Sequence, residues 1–210
     1  QALAQEPPIP IPIGELLRHH ALATFAGTFA VVACFAIFYL STAFALAHGT
    51  TALAYQREVF LSIQLAAILF LVLGIIISGV RSDATSPARV LIGGCAATIV
   101  IGLMFGPLLG SGSLWLVWAA LSLALFVMGF VYGPLGAWLP SLFPPRVRYT
   151  GASVAFNAGG ILGGAAAPIA AQALSEIGGT SLVGLYLTIA GVLSLAGLLL
   201  ARQYKEYKAE

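Results

Sequence analysis

Six runs of mostly apolar residues, 21–47, 59–80, 90–109, 114–139, 152–174 and 182–201, fill most of this 210-residue chain. About 20 such residues cross a bilayer as a helix. In hydrocarbon every backbone N–H and C=O must find a partner within the protein, which leaves helices and closed barrels as spanning structures. Barrel strands alternate in hydrophobicity over roughly ten residues, whereas these runs are longer and continuous. The expected fold class is an all-α membrane protein with six transmembrane helices, the first to sixth below. Charged residues make up 8% of the chain and hydrophobic ones 60%, against roughly 25% charged in soluble domains. That balance excludes a soluble enzyme and a disordered chain. A net charge of +2 cannot neutralise the phosphates of a nucleic acid, so the expected surroundings are a lipid bilayer and no nucleic acid.

The connections set an orientation. One side carries Arg18, Arg81, Arg89, Arg146, Arg148, Arg202, Lys205 and Lys208, and the other only Arg57. By the positive-inside bias both termini are cytoplasmic, in a multi-pass protein of the plasma membrane, here a bacterial inner membrane. Trp115 and Trp118 then fall at the outer end of the fourth helix and Trp138 at its inner end, where interfacial aromatics belong. Residues 1–20 are Pro-rich and lack the basic start and apolar core of a signal peptide. They are expected to be a cytoplasmic linker remnant of a longer protein, with 21–202 the bundle and 203–210 a cytoplasmic tail. Three spans per unit invert the second unit, so the six helices divide into two inverted three-helix repeats.

No Asp, Glu, Lys or Arg lies inside any of the six runs. A buried ionisable group is the default mark of a proton relay in a membrane, so ion coupling must use groups elsewhere. Cys34 and Cys95 form neither a disulfide framework nor a zinc site. With no HExxH and no convincing Ser–His pair, no enzyme, metal or cofactor is expected. Neutral polar residues do form a pattern. At 100° per residue, Thr24, Thr28, Tyr39 and Thr42 fall within roughly 60° of one another on the first helix. The alternative to a wet stripe is that the threonines bond back to their own helix carbonyls. Gln64 lies at a depth similar to Tyr39, and Asn157 at a depth similar to Tyr132. Either pair lines a pore or joins helices. Tyr39, Thr42, Gln64, Tyr132 and Asn157 are the candidate substrate-binding residues.

The fourth helix carries glycines at 129, 133 and 136 and a helix-bending Pro134. The fifth carries Gly159-Gly160 and Gly163-Gly164, overlapping GxxxG pairs that let backbones approach closely. Two inner loops hold charge. Asp83 lies in the first, with Arg89, and Arg146 and Arg148 in the second. Asp83 is expected either to pair with one of these arginines or to cap the start of the fifth helix. Asp83, Arg89, Arg146 and Arg148 are thus the candidate cytoplasmic gate; the alternative is that the arginines only set topology.

The segment Tyr132-Gly-Pro-Leu-Gly-Ala-Trp-Leu-Pro-Ser-Leu-Phe-Pro-Pro-Arg-Val-Arg-Tyr-Thr-Gly151 resembles the metabolite:proton symporter branch of the major facilitator superfamily. The glycine run of the fifth helix, Phe38-Tyr39-Leu-Ser-Thr with His48-Gly-Thr-Thr51, and Gly79…Ser82-Asp83…Arg89 are similar as well. Arg81, the stretch Ala84 to Ala88, and Ser141 depart from the family pattern. The resemblance implies the C-terminal half of a secondary active transporter, with a missing N-terminal six-helix half as partner. It further implies that the first and fourth helices line a central cavity, flanked by the second and fifth. The function so implied is proton-coupled uptake of a small organic acid or zwitterionic metabolite by alternating access. Proton-carrying carboxylates of the family often lie in the other half. The alternative is a non-transport six-helix membrane structural or assembly protein.

Overall fold

The computed structural model describes residues 12–209, with side chains from 13 to 203. Among these residues all regular structure is helical. Six helices are long and apolar enough to cross a membrane: Ala21–Thr51, Arg57–Ala84, Pro87–Leu109, Leu114–Trp138, Arg148–Gly178 and Thr180–Gln203. Most overrun the apolar stretch that predicts them. Hydropathy marks where hydrocarbon ends, but the backbone ladder continues until a cap or breaker stops it. The sixth helix continues to Ala209, so much of the expected tail is helical. A leading helix, Pro12–His19, also replaces part of the expected linker. Pro12 opens it, where a missing N–H is harmless, and Leu16 is its buried anchor. Residues 1–11 and 210 lie outside the described residues.

Two connections are very short. Thr85 and Ser86 alone separate the second and third helices, and Gly179 alone separates the fifth and sixth. Gly179 has φ +71°, which favours a residue without Cβ. Ser86 caps the third helix by accepting the Arg89 N–H at 3.4 Å. Asp83 and Arg89, expected in a loop, are therefore both helical. Trp138 is buried rather than interfacial, whereas Trp115 is 78% exposed.

The helices do not pack in chain order. The first packs on the fifth and sixth, the fourth on the second and third, and the third on the sixth. Exchanging first with fourth, second with fifth and third with sixth maps this set of pairs onto itself. That is the packing expected of two three-helix repeats. The first and fourth helices are the most buried spans and the second the least.

Small residues set the distances. A Cβ on Gly129 would meet the Leu71 carbonyl, and one on Gly74 the Phe126 carbonyl, so the fourth and second helices cross backbone to backbone. Gly159 and Gly163 do the same against the carbonyls of Thr28 and Val32 on the first helix. Lipid tails supply no hydrophobic drive between helices, so close van der Waals packing of this kind is what associates them. Ser194 adds a polar tie. Its Oγ donates to the Phe29 carbonyl and accepts the Ala33 N–H, each at 2.8 Å. One hydroxyl of the sixth helix thus bonds both ends of one turn of the first.

These contacts separate two glycines of the fourth helix. Gly129→Ala should lower the unfolding temperature in detergent, since overpacking costs about 1–3 kcal/mol. Gly136, where a Cβ would meet nothing within 4 Å, should accept alanine without loss.

Candidate functional site

Two turns of the bundle are wound with i→i+5 bonds instead of i→i+4. They are Leu40–Phe44 in the first helix and Ile161–Ala165 in the fifth. Such π turns insert a residue and often mark functional positions. The fifth-helix turn has a local cause. Pro168 lacks the N–H that would bond the Gly164 carbonyl, and its ring crowds that position. The two turns lie on helices that pack together, and a cavity of about 480 Å³ opens between them, lined by Phe35, Tyr39, Ala43, Asn157, Gly160 and Gly164 among others.

Glycine pairing builds this wall. Gly159 and Gly163 face the first-helix backbone, whereas Gly160 and Gly164 face the rings of Phe35 and Tyr39. A Cβ on Gly164 would come within 2.8 Å of the Tyr39 ring. The four glycines of the fifth helix thus divide between joining helices and seating aromatic side chains.

A second cavity, of about 420 Å³, lies toward the arginine-rich end. Tyr132, Gly136, Tyr149, Ser153, Phe156 and Asn157 are among its lining residues. Phe156 and Asn157 line both cavities. Asn157 lies nine residues into a 31-residue span, about 14 Å from its arginine-bearing end at 1.5 Å per residue. Its Nδ2 donates to the Ser153 carbonyl at 2.8 Å and to Ser153 Oγ at 3.4 Å. Those bonds spend the amide donors and leave Oδ1 as the acceptor. Tyr39 and Tyr132 are 37% and 44% exposed, so each ring presents a face and a hydroxyl. Neither cavity is lined by Asp, Glu, Lys, Arg or His. The chemistry on offer is neutral hydrogen bonding between aromatic walls.

The sequence candidates therefore separate. Tyr39, Tyr132 and Asn157 come together along the two cavities. Gln64 lines neither; its Nε2 donates to the carbonyls of Ser41 and Thr42, each at 2.9 Å. Thr42 lines neither, and its hydroxyl bonds the Phe38 carbonyl at 2.6 Å. The π turn alters, beyond Tyr39, the rotation that a constant 100° assumes, so the expected polar stripe does not extend to Thr42. Thr24 and Thr28 are buried, and the Thr24 hydroxyl bonds the His20 carbonyl at 3.0 Å. Phe35, Phe156 and Tyr149 were not among the candidates. The signal for two of them was present: Phe35 and Tyr39 are spaced i, i+4, as are Phe156, Gly160 and Gly164.

Asp83 and Arg89 of the charged group are exposed. Asp83 is exposed in the last turn of the second helix, and no side chain caps the start of the fifth. Arg148 Nε donates to the Phe143 carbonyl at 3.3 Å. Among the described residues no ion pair joins Asp83 to Arg89 or Arg148. Nor does any group of three His, Cys, Asp or Glu side chains stand where it would hold a metal ion.

Three proteins match along nearly the whole chain. The "Inner membrane metabolite transport protein YhjE" of Escherichia coli K12 is 38% identical over 201 residues, covering 93% of this chain and 46% of that protein. Two Haemophilus influenzae proteins, also named as metabolite transport proteins, are 32% and 30% identical over 205 and 216 residues. They cover 92% and 98% of this chain and 47% and 48% of their own. The chain spans about half the length of the curated relatives it matches. No family model and no solved structure matches it.

Because Asp83 is exposed and makes no ion pair with Arg89 or Arg148 among the described residues, Asp83→Asn should leave the unfolding temperature in detergent unchanged, within the roughly ±0.5 kcal/mol of a surface substitution. A clear loss would mean the carboxylate is already engaged.

Proposed function

The chain belongs to the metabolite transport proteins of the major facilitator superfamily, and we propose that it forms the C-terminal half of a secondary active transporter. The substrate binds near the membrane midplane, between this bundle and a partner six-helix half, and reaches either side by alternating access. The protein is a multi-pass inner membrane protein with the arginine-rich end in the cytoplasm.

One observation carries this reading. Tyr39, Tyr132 and Asn157, polar side chains that lipid would penalise, are instead grouped on two adjoining concave surfaces. Asn157 Oδ1 supplies an acceptor and the tyrosine hydroxyls supply donors. Uncharged walls suit a small organic acid or a zwitterion whose remaining charge is met by the partner half. No Asp, Glu, Lys, Arg or His lines these walls, so proton carriers belong to the partner half as well. Asp83, Arg89, Arg146 and Arg148 form the cytoplasmic gate, which closes in another conformation of the cycle.

Uptake by the full-length protein in proteoliposomes tests the reading, using labelled organic acids and betaines with and without a pH gradient. Asn157→Ala should raise KM about three- to tenfold, the worth of one neutral hydrogen bond of roughly 0.5–1.5 kcal/mol, with the unfolding temperature unchanged. Asp83→Asn should lower turnover with KM unchanged. Absence of uptake of any of these compounds would favour a structural or assembly role, and unchanged kinetics in both variants would remove Asn157 from the site and Asp83 from the gate.

A further inference from the structure

Tyr39 is the largest polar side chain lining the 480 Å³ cavity between the first and fifth helices. Its ring rests on Gly164 of the fifth helix. Gly164 lines the same cavity and is nevertheless buried, because that ring covers it. A Cβ on Gly164 would stand 2.8 Å from Cε2 and 3.0 Å from Cδ2 of Tyr39, and 3.6 Å from the Phe35 Cβ. Carbon atoms pack best at about 3.5–4.0 Å, so a single methyl group is enough to unseat the edge of the ring. The three atoms met first are all side-chain atoms. At the neighbouring Gly163 a Cβ would instead run into the Val32 backbone. Gly163 therefore sets the distance between the helices, and Gly164 sets where Tyr39 rests.

A displaced ring has one open direction. Gly164 is behind it, and the Phe38 ring stands edge-on beside it, with centroids 5.5 Å apart and planes at 89°. The exposed part of Tyr39, 37% of the residue, lines the cavity. Restoring ordinary contact from 2.8 Å moves the ring edge by about 1 Å, and that movement is into the cavity. Gly160 seats the Phe35 ring more loosely. A Cβ there would lie 3.2, 3.3 and 3.4 Å from ring atoms, only a few tenths of an ångström short of contact. The two glycines thus grade the same effect.

We propose that Gly164 is a specificity-determining residue: its missing side chain lets the Tyr39 ring lie back against the fifth helix, which sets the width of the cavity and so the largest substrate it accepts. Gly164 acts through Tyr39 and needs no contact with the substrate. That this cavity holds a substrate rests on the transport reading above; the seating of the ring does not.

The test reads cavity width without a substrate. Ala43→Cys, exposed on the same wall, is labelled in purified full-length protein in detergent. The probes are a small maleimide, N-ethylmaleimide, and a bulky one, fluorescein-5-maleimide. Ser153→Cys, on the wall of the other cavity, is the control, and the background of the buried Cys34 and Cys95 is measured without an introduced thiol. Gly164→Ala should slow the bulky probe at position 43 threefold or more, change N-ethylmaleimide less than twofold, and leave Ser153→Cys unchanged. Gly160→Ala should do less. In a Tyr39→Ala background Gly164→Ala should do nothing, because the ring is gone. An equal response of the two probes, no response, or a response that persists without the ring would overturn the proposal. If Gly164→Ala fails to insert, recovery in Gly164→Ala/Tyr39→Ala would support it and continued failure would overturn it. In proteoliposomes, the largest of the organic acids and betaines taken up should lose about tenfold more uptake in Gly164→Ala than the smallest, the low end of what one misfitting methylene costs in a pocket. Equal loss at all sizes would overturn the role in specificity. Absence of uptake by the unsubstituted protein, with a positive labelling result, would remove the transport reading and leave the seating of the ring standing.

Discussion

Inside a bilayer a backbone carbonyl has no water to turn to, and the architecture of this bundle reflects that constraint. Six helices satisfy themselves along nearly their whole length. At two places a side chain of another helix adds a bond. Ser194 bonds a turn of the first helix from one side, and Gln64 bonds its π turn from another. Each polar side chain spent this way joins two helices. In lipid, where apolar contact between helices gains nothing over contact with acyl chains, these few bonds and the glycine crossings set the arrangement.

Spanning elements were legible because they rest on one strong signal, continuous hydropathy. The depth of polar residues was legible too, since rise per residue is nearly constant. Gln64 does meet the first helix just beyond Tyr39, and Asn157 does share a cavity with Tyr132. Azimuth was not legible. A stripe counted at 100° per residue runs from Thr24 to Thr42 only if the winding is uniform, and the π turn breaks that assumption beyond Tyr39. Partner choice was equally hidden. Whether an amide in a helix meets a ligand or a neighbouring carbonyl depends on which helix lies opposite, and packing out of chain order cannot be read from spacing. Asp83 was misplaced for a related reason: polarity suggested a loop, but the helix runs on to Ala84.

The two three-helix repeats are equivalent in packing and unequal in detail. The first and fifth helices meet through paired π turns and a glycine-seated aromatic pair, and the cavity near Tyr39 opens there. The fourth and second helices, in the corresponding positions, meet through Gly74, Gly129 and Gly133, with the fourth helix running unbroken through Pro134. One crossing carries π turns and the other does not. Asn157 lines both cavities.

The two shortest connections occupy matching places in the two repeats. With Thr85 and Ser86 alone at one corner and Gly179 alone at the other, the second helix cannot tilt without dragging the third, nor the fifth without dragging the sixth. Each such pair is mechanically a single bracket. The longer segments, 52–56 and 139–147, lead out of the first and fourth helices. If this bundle changes shape, the brackets travel as units and the two central helices lean between them.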